Sequence, residues 1–274
     1  MLFPGETVYD DSNSAELIGD GESVEVGGEK RLLSRMPPPM GASTAGFATE
    51  FSAVLTAIPR GEWSARLKEQ LELESRVSDW QNFPSYDQNG LPTCWANGPC
   101  AALSTIRVMM GLPYVQISSC SVAVPISGGS RGGWEGDALE YLAKYGGVPV
   151  DLWPNNSTNR SLMSDAACQA SRENFKAIEW IDLGNRFENY ATAALLGYPM
   201  AVAYNDWSHV VMICDLVEIE PGSFGLRIRN NWSEAWGVAN KWGYKGYATF
   251  REGARSHGCP SSGYGTRQAT PFTP

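Results

Sequence analysis

The apolar positions of this chain follow two periods, one after the other. Up to about residue 177 the patterned stretches carry helical spacing. Residues 63–75 (WSARLKEQLELES) set Leu67, Leu71 and Leu73 among charged neighbours, which predicts a helix packed through those leucines. Residues 94–111, rich in Ala, Leu, Ile and Met, predict a longer helix, and residues 136–145 another, ended by Gly146-Gly147 and Pro149. Pro99 lies inside the 94–111 helix and predicts a kink or a separate first turn there. From about Ile178 the pattern shortens to β-branched and aromatic runs at 200–204, 210–216, 225–228 and 246–250, which predict strands. Helices first and strands afterwards predict an α+β fold with two segregated halves.

The start of the chain follows neither period. Residues 1–45 read as an acidic, Gly/Pro-rich extended arm, loosely structured by itself, with Pro37-Pro38-Pro39 and Met40-Gly41 as a linker. Residues 46–76 form a helical linker segment, and the main domain occupies 77–274. Residues 1–30 hold eight acids and one base, so −7 of the net charge of −9 sits there and the rest of the chain carries −2. A near-neutral body argues against binding nucleic acid through phosphates, and the acidic arm against an anionic membrane surface. No apolar run approaches the ~20 residues of a membrane helix, and the N-terminus lacks the basic and apolar regions of a secretory signal. An intracellular or virion-associated protein is expected. The 6 cysteines leave the redox compartment open. They form no CxxC pair, and the 2 histidines are His209 and His257, so neither a metal nor another cofactor is expected. His257 reads as a surface residue.

Candidate chemistry lies in three places. Cys94 follows the turn-forming stretch Asn89-Gly90-Leu91-Pro92 at the start of a helix, where Thr93 is a plausible N-cap and the helix end lowers a thiol pKa. By position alone it is more often a buried small hydrophobe. His209 opens the apolar run His209-Val210-Val211-Met212-Ile213, and a lone His on a strand is more often structural. Asn230 follows the strand-like Leu226-Arg227-Ile228-Arg229, where Asn usually serves turn chemistry.

Together these residues resemble the papain-like cysteine peptidase family, over about residues 77–259. Gln88 stands six residues before Cys94-Trp95-Ala96; Ser78-Asp79-Trp80, Gly132-Gly133-Trp134, Ser208-His209-Val210-Val211 and Arg229-Asn230-Asn231-Trp232 with Trp236-Gly237 follow the family's order. Separations of 115 residues from Cys94 to His209 and 21 from His209 to Asn230 fit. The resemblance implies a two-lobed fold, with a helical left lobe, a β-sheet right lobe and a cleft between them. It implies Cys94 as nucleophile, His209 as its base, Asn230 orienting the imidazole, and Gln88 with the Cys94 backbone N–H as oxyanion hole. It further implies that Trp232 covers the His–Asn pair, that Trp207 flanks the leaving-group side, and that Gly132 and Gly133 admit an extended substrate backbone.

The chain departs from the family at Asn97, Gly98 and Ser233. It also has Leu91 and Ser130 where the family pairs two cysteines. A second family bridge, Cys120 to Cys168, stands as an implication of the resemblance. The expected function is that of a thiol endopeptidase acting on extended polypeptide. The alternative is a papain-fold structural or interaction module of a larger assembly, such as a viral or phage particle, docked through the N-terminal arm. An amidase or transglutaminase-like acyl transfer would use the same residues.

Overall fold

The computed structural model describes residues 1–18, 22–39 and 48–270; Met40-Gly41 of the expected linker lies outside them. In chain order they form β1 (Val8–Tyr9), α1 (Ala15–Ile18), β2 (Ser23–Val26), β3 (Glu29–Leu32), β4 (Ala48–Glu50), α2 (Phe51–Val54), α3 (Trp63–Glu72), α4 (Cys94–Met109) and α5 (Cys120–Ser127). There follow α6 (Glu135–Lys144), α7 (Ala166–Arg172), β5 (Ala177–Asp182), α8 (Phe187–Leu195), β6 (Met200–Tyr204), β7 (His209–Glu220), β8 (Ser223–Arg229), β9 (Tyr247–Arg251) and β10 (Ser262–Ala269). Eight strands make one sheet in the order β1-β9-β8-β7-β6-β10-β5-β4, antiparallel through its centre and parallel at its two ends. β2 and β3 form a separate hairpin.

Both faces of the sheet are buried, and the alternation of side chains divides them. Met200, Val202 and Tyr204 of β6 and Val211 and Ile213 of β7 point into a core shared with Trp63 of α3 and Tyr190 of α8. Ala203, Val210, Met212 and Cys214 point the other way, against Ala96, Leu103 and Ile106 of α4 and Leu139 and Leu142 of α6. The helices α4, α5 and α6 thus gather on one side and the sheet with its second core on the other, the two-lobed α+β arrangement expected. Among the described residues no helix is long and apolar enough to cross a membrane.

Helix α4 is buried on every side from Cys94 to Arg107. Its approach to β7 requires Gly98: a Cβ there would lie 2.8 Å from Val210 Cγ1 and 3.1 Å from the Val211 carbonyl. The break expected at Pro99 does not occur, and the helix runs through it. Pro99 forfeits only the bond its own N–H would have made. The first turn is held separately by the Asn97 side chain, whose Nδ2 donates to Thr93 O at 2.9 Å and Thr93 Oγ1 at 3.1 Å. Thr93 occupies the N-cap position, but its side chain makes no capping bond.

Helix α3 forms as expected and packs differently. Trp63, Leu67 and Gln70 are its buried residues, while Leu71 is 44% and Leu73 69% exposed. Gln70 takes the inner position because its Nε2 donates to the Ala194 and Leu195 carbonyls at 3.1 and 2.7 Å, at the end of α8.

The acidic start of the chain is ordered against the body. β1 pairs with β9, and the buried Glu6 carboxylate accepts from Arg227 Nε and Nη2 at 2.9 and 2.8 Å and from Thr249 Oγ1 at 2.8 Å. Arg227 also donates to Asp215 at 2.8 Å and to the Met1 carbonyl at 2.7 Å, and lies over the Phe3 ring. Asp215 in turn holds Arg76 and Ser78. A buried ion network needs every partner, because each charge has given up nearly all its water. His257 is likewise buried, packed edge-on to Tyr9 and against Phe250.

All six cysteines are free thiols. Cys120 and Cys168 share a small cluster with Val124, Val148 and Trp153 without forming the implied bridge, and Cys168 Sγ is directed to the Leu152 carbonyl. Leu91 packs on that same cluster, and Ser130 is exposed.

The Glu6 network makes a checkable demand. Glu6→Ala strands the Arg227 charge in the interior and is expected to lower stability by about 3–5 kcal/mol in urea unfolding. A loss under about 1 kcal/mol, the range of an exposed pair, would contradict this reading of the N-terminal segment.

Candidate active site

Cys94 is the first residue of α4 and has no exposed surface. Its Sγ sits 3.1 Å from Ser34 Oγ and accepts from the Val210 backbone N–H, next in sequence to His209. Burial raises the thiol pKa above its ordinary value, and the hydrogen bonds from Ser34 and Val210 offset this only in part.

His209 opens β7 directly after Ser208, whose φ of 50° turns the chain into the strand. His209 Nε2 and Asn230 Oδ1 are 2.8 Å apart. Asn230 Oδ1 also accepts from the Asn231 backbone N–H at 2.8 Å, which assigns that atom as the amide oxygen. An oxygen only accepts, so Nε2 carries the ring proton. Nδ1 is then the lone-pair nitrogen, and it is buried without a hydrogen-bond partner. Trp232 lies over the imidazole with centroids 4.6 Å apart, and Trp207 meets it edge-on at 4.5 Å. Both indoles are buried, so they dry the His–Asn pair. Desolvation lowers the His209 pKa to about 3, opposed by the hydrogen bond that the ring donates to Asn230.

Gln88 is placed by its backbone, whose N–H donates to the Asn231 carbonyl at 2.9 Å. Its Nε2 donates to the Leu32 carbonyl at 2.9 Å and the Leu91 carbonyl at 2.8 Å. The Gln88 side-chain amide thus already holds a peptide carbonyl of the arm. Gly132 and Gly133 lie in the loop before α6. A Cβ on Gly132 would stand 2.2 Å from the Ser34 carbonyl, and one on Gly133 2.5 Å from the Trp95 ring. Only glycine lets a backbone pass this close.

The backbone that passes is the chain's own. Met36 N–H donates to Gly133 O at 2.9 Å, Gly133 N–H to Ser34 O at 3.2 Å, and Arg35 N–H to Ser208 O at 2.9 Å. Arg35 and Gly133 form a parallel bridge. Leu33 N–H is taken by the Glu22 carbonyl at 2.8 Å. The Arg35 guanidinium pairs with the buried Glu135 carboxylate and donates to Asn205 Oδ1 and Ser262 Oγ. Residues 32–36 therefore thread the space around Cys94, His209, Gln88 and Gly133. No motif marks Ser34, Arg35 or Glu135. The one signal was charge: Lys30, Arg31 and Arg35 are the bases of an otherwise acidic arm.

No family model matches the sequence, and no curated protein does. Among solved structures the chain is similar to xylellain, a cysteine protease from Xylella fastidiosa, with a TM-score of 0.58 at 18% identity over 86% of this chain and 96% of that one. It is similar to a chain from the structural study of antibody cross-reactivity between the mite allergens Blo t 1 and Der p 1, with a TM-score of 0.59 at 16% identity over 85% of this chain and 79% of that one. The proform of the ragweed pollen cysteine protease Amb a 11 matches at 0.53 and 18% identity, over 72% of this chain and 64% of its own length. The fold is therefore papain-like.

The neutral imidazole has a measurable consequence. Between the ordinary pKa near 6.5 and about 3, the unfolded chain binds a proton at His209 that the folded chain does not. This contribution to stability is present above pH 6.5 and is lost as pH falls. The thermal midpoint is expected to drop from pH 7 to pH 4, and less steeply in His209→Gln. Parallel declines in the two proteins would remove His209 as a source.

Proposed function

We propose that this chain is a thiol endopeptidase held closed by its own N-terminal arm. The observation that carries the reading is the set of backbone bonds from residues 34–36 to Gly133 and Ser208, beside Cys94 and the His209–Asn230 pair. An extended polypeptide substrate would use the same bonding positions.

In the open site His209 Nδ1 takes the Cys94 proton, and the thiolate attacks the scissile carbonyl carbon. The developing oxyanion meets Gln88 Nε2 and the Cys94 N–H; loss of one such donor typically costs ~10²–10³ in rate. The imidazolium, oriented by Asn230, protonates the leaving amine. Water then attacks the thioester, its proton passes to His209, and the acid product leaves with the thiol restored.

The arm escapes this chemistry through its placement. The thiol meets the Ser34 hydroxyl, and the Ser34 carbonyl is turned away to Gly133. The carbonyl at Gln88 belongs to Leu32, two residues from the one at the sulfur.

The test is covalent labelling of full-length protein with an epoxide inhibitor of thiol proteases, mapped by peptide mass. Cys94 in the wild type is expected to label slowly. Arg35→Glu, which sets a second carboxylate against Glu135 and expels the arm, is expected to raise the rate at least about tenfold, a change of ~1.4 kcal/mol in barrier. The gain should vanish with His209→Ala. Labelling absent from both forms would favour the papain-fold interaction module.

A further inference from the structure

We infer that the pocket floored by Glu135 is a subsite for an arginine side chain of the substrate, with Arg35 as its resident stand-in. The inference deepens the peptidase reading above and rests on it.

Glu135 is the first residue of α6, with no exposed surface. Its two carboxylate oxygens lie 3.4 Å from Arg35 Nε and Nη2, a two-pronged match to a planar guanidinium. Asn205 Oδ1 and Ser262 Oγ add two more acceptors on the same group, and the Ser262 hydroxyl spends its own proton on Glu135. The lining thus presents acceptors to a cation with several donors. The Arg35 backbone hangs on Ser208 O, between neighbours bonded to Gly133, and any extended chain in the cleft would drop a side chain here.

Removing the arm leaves Glu135 with one described side-chain hydrogen bond, from Ser262. A buried carboxylate without its cation is strongly unfavourable, so the open pocket selects for its replacement. A leucine side chain leaves the carboxylate unpaired. A lysine supplies charge without the fork. Discrimination of this kind, where a polar site rejects a side chain that cannot satisfy it, far exceeds that of an apolar pocket.

Full-length Arg35→Ala empties the pocket and allows two readouts. N-acetyl-arginine amide is expected to raise its thermal midpoint where N-acetyl-leucine amide does not, and the effect should be lost in Arg35→Ala with Glu135→Gln. Equal responses to the two amides, or a response that survives Glu135→Gln, overturns the proposal whatever the state of Cys94. The second readout is the labelling rate of Cys94 by peptidyl acyloxymethyl ketones carrying Arg or Leu next to the residue that meets the thiol, the spacing Arg35 keeps from Ser34. The Arg probe is expected to react at least tenfold faster, and that preference to disappear with Glu135→Gln; a Leu preference in Arg35→Ala overturns it. Arginine-selective stabilisation with no labelling at all supports the pocket and removes the peptidase reading. Should Arg35→Ala fail to fold, Arg35→Gln is read by the same two measurements.

Discussion

Strand β7 is buried on both faces along most of its length, and the site inherits its geometry from that constraint. Alternate residues must satisfy two different cores, so neither a rotation nor a one-residue slip is tolerated. His209 is the strand's first residue, and Asn230 follows its neighbour β8. Helix α4 lies so close to the same strand that only glycine fits at position 98, which brings Cys94 to the Val210 amide. Farther along, Asp215 of the same strand anchors the ions that fasten the chain's first residues. One strand therefore positions the imidazole, receives the thiol and holds the N-terminus.

Threading the arm through the cleft changes the chemistry as well as the access. With water excluded, the charged forms of both groups are disfavoured: the thiol pKa rises and the imidazole pKa falls. A neutral thiol is a poor nucleophile. Under the proposed function, solvation restored by an opening arm would favour the charged pair, so opening and activation would be one event.

Much of this was legible from residue order. Strand β6 was readable to the residue, because a short β-branched run bounded by turns has few other solutions. The His209–Asn230 contact was legible in the spacing of the two residues. The exposed Leu71 and Leu73 were not, since spacing cannot tell that a glutamine will outcompete a leucine when helix-end carbonyls wait beside it. Pro99 misled because the Asn97–Thr93 bonds that steady the first turn are side-chain bonds, outside any propensity. Averaged charge made residues 1–30 look solvated, whereas one acid, Glu6, is matched to one base more than two hundred residues away. Ser34 and Glu135 meet the site through contacts sixty and a hundred residues long, for which no local pattern exists.

The cleft segment is fastened at its N-terminal side through β1 and the Arg227 network, parts of the folded body itself. A segment on such a tether, once displaced, stays near its seat at an effective concentration on the order of millimolar. A free peptide must outbid that local supply before it occupies the cleft for any length of time. Under the proposed function, opening would be a reversible excursion, and the threshold for a visiting chain would be set by tether length as much as by the fit of the pocket.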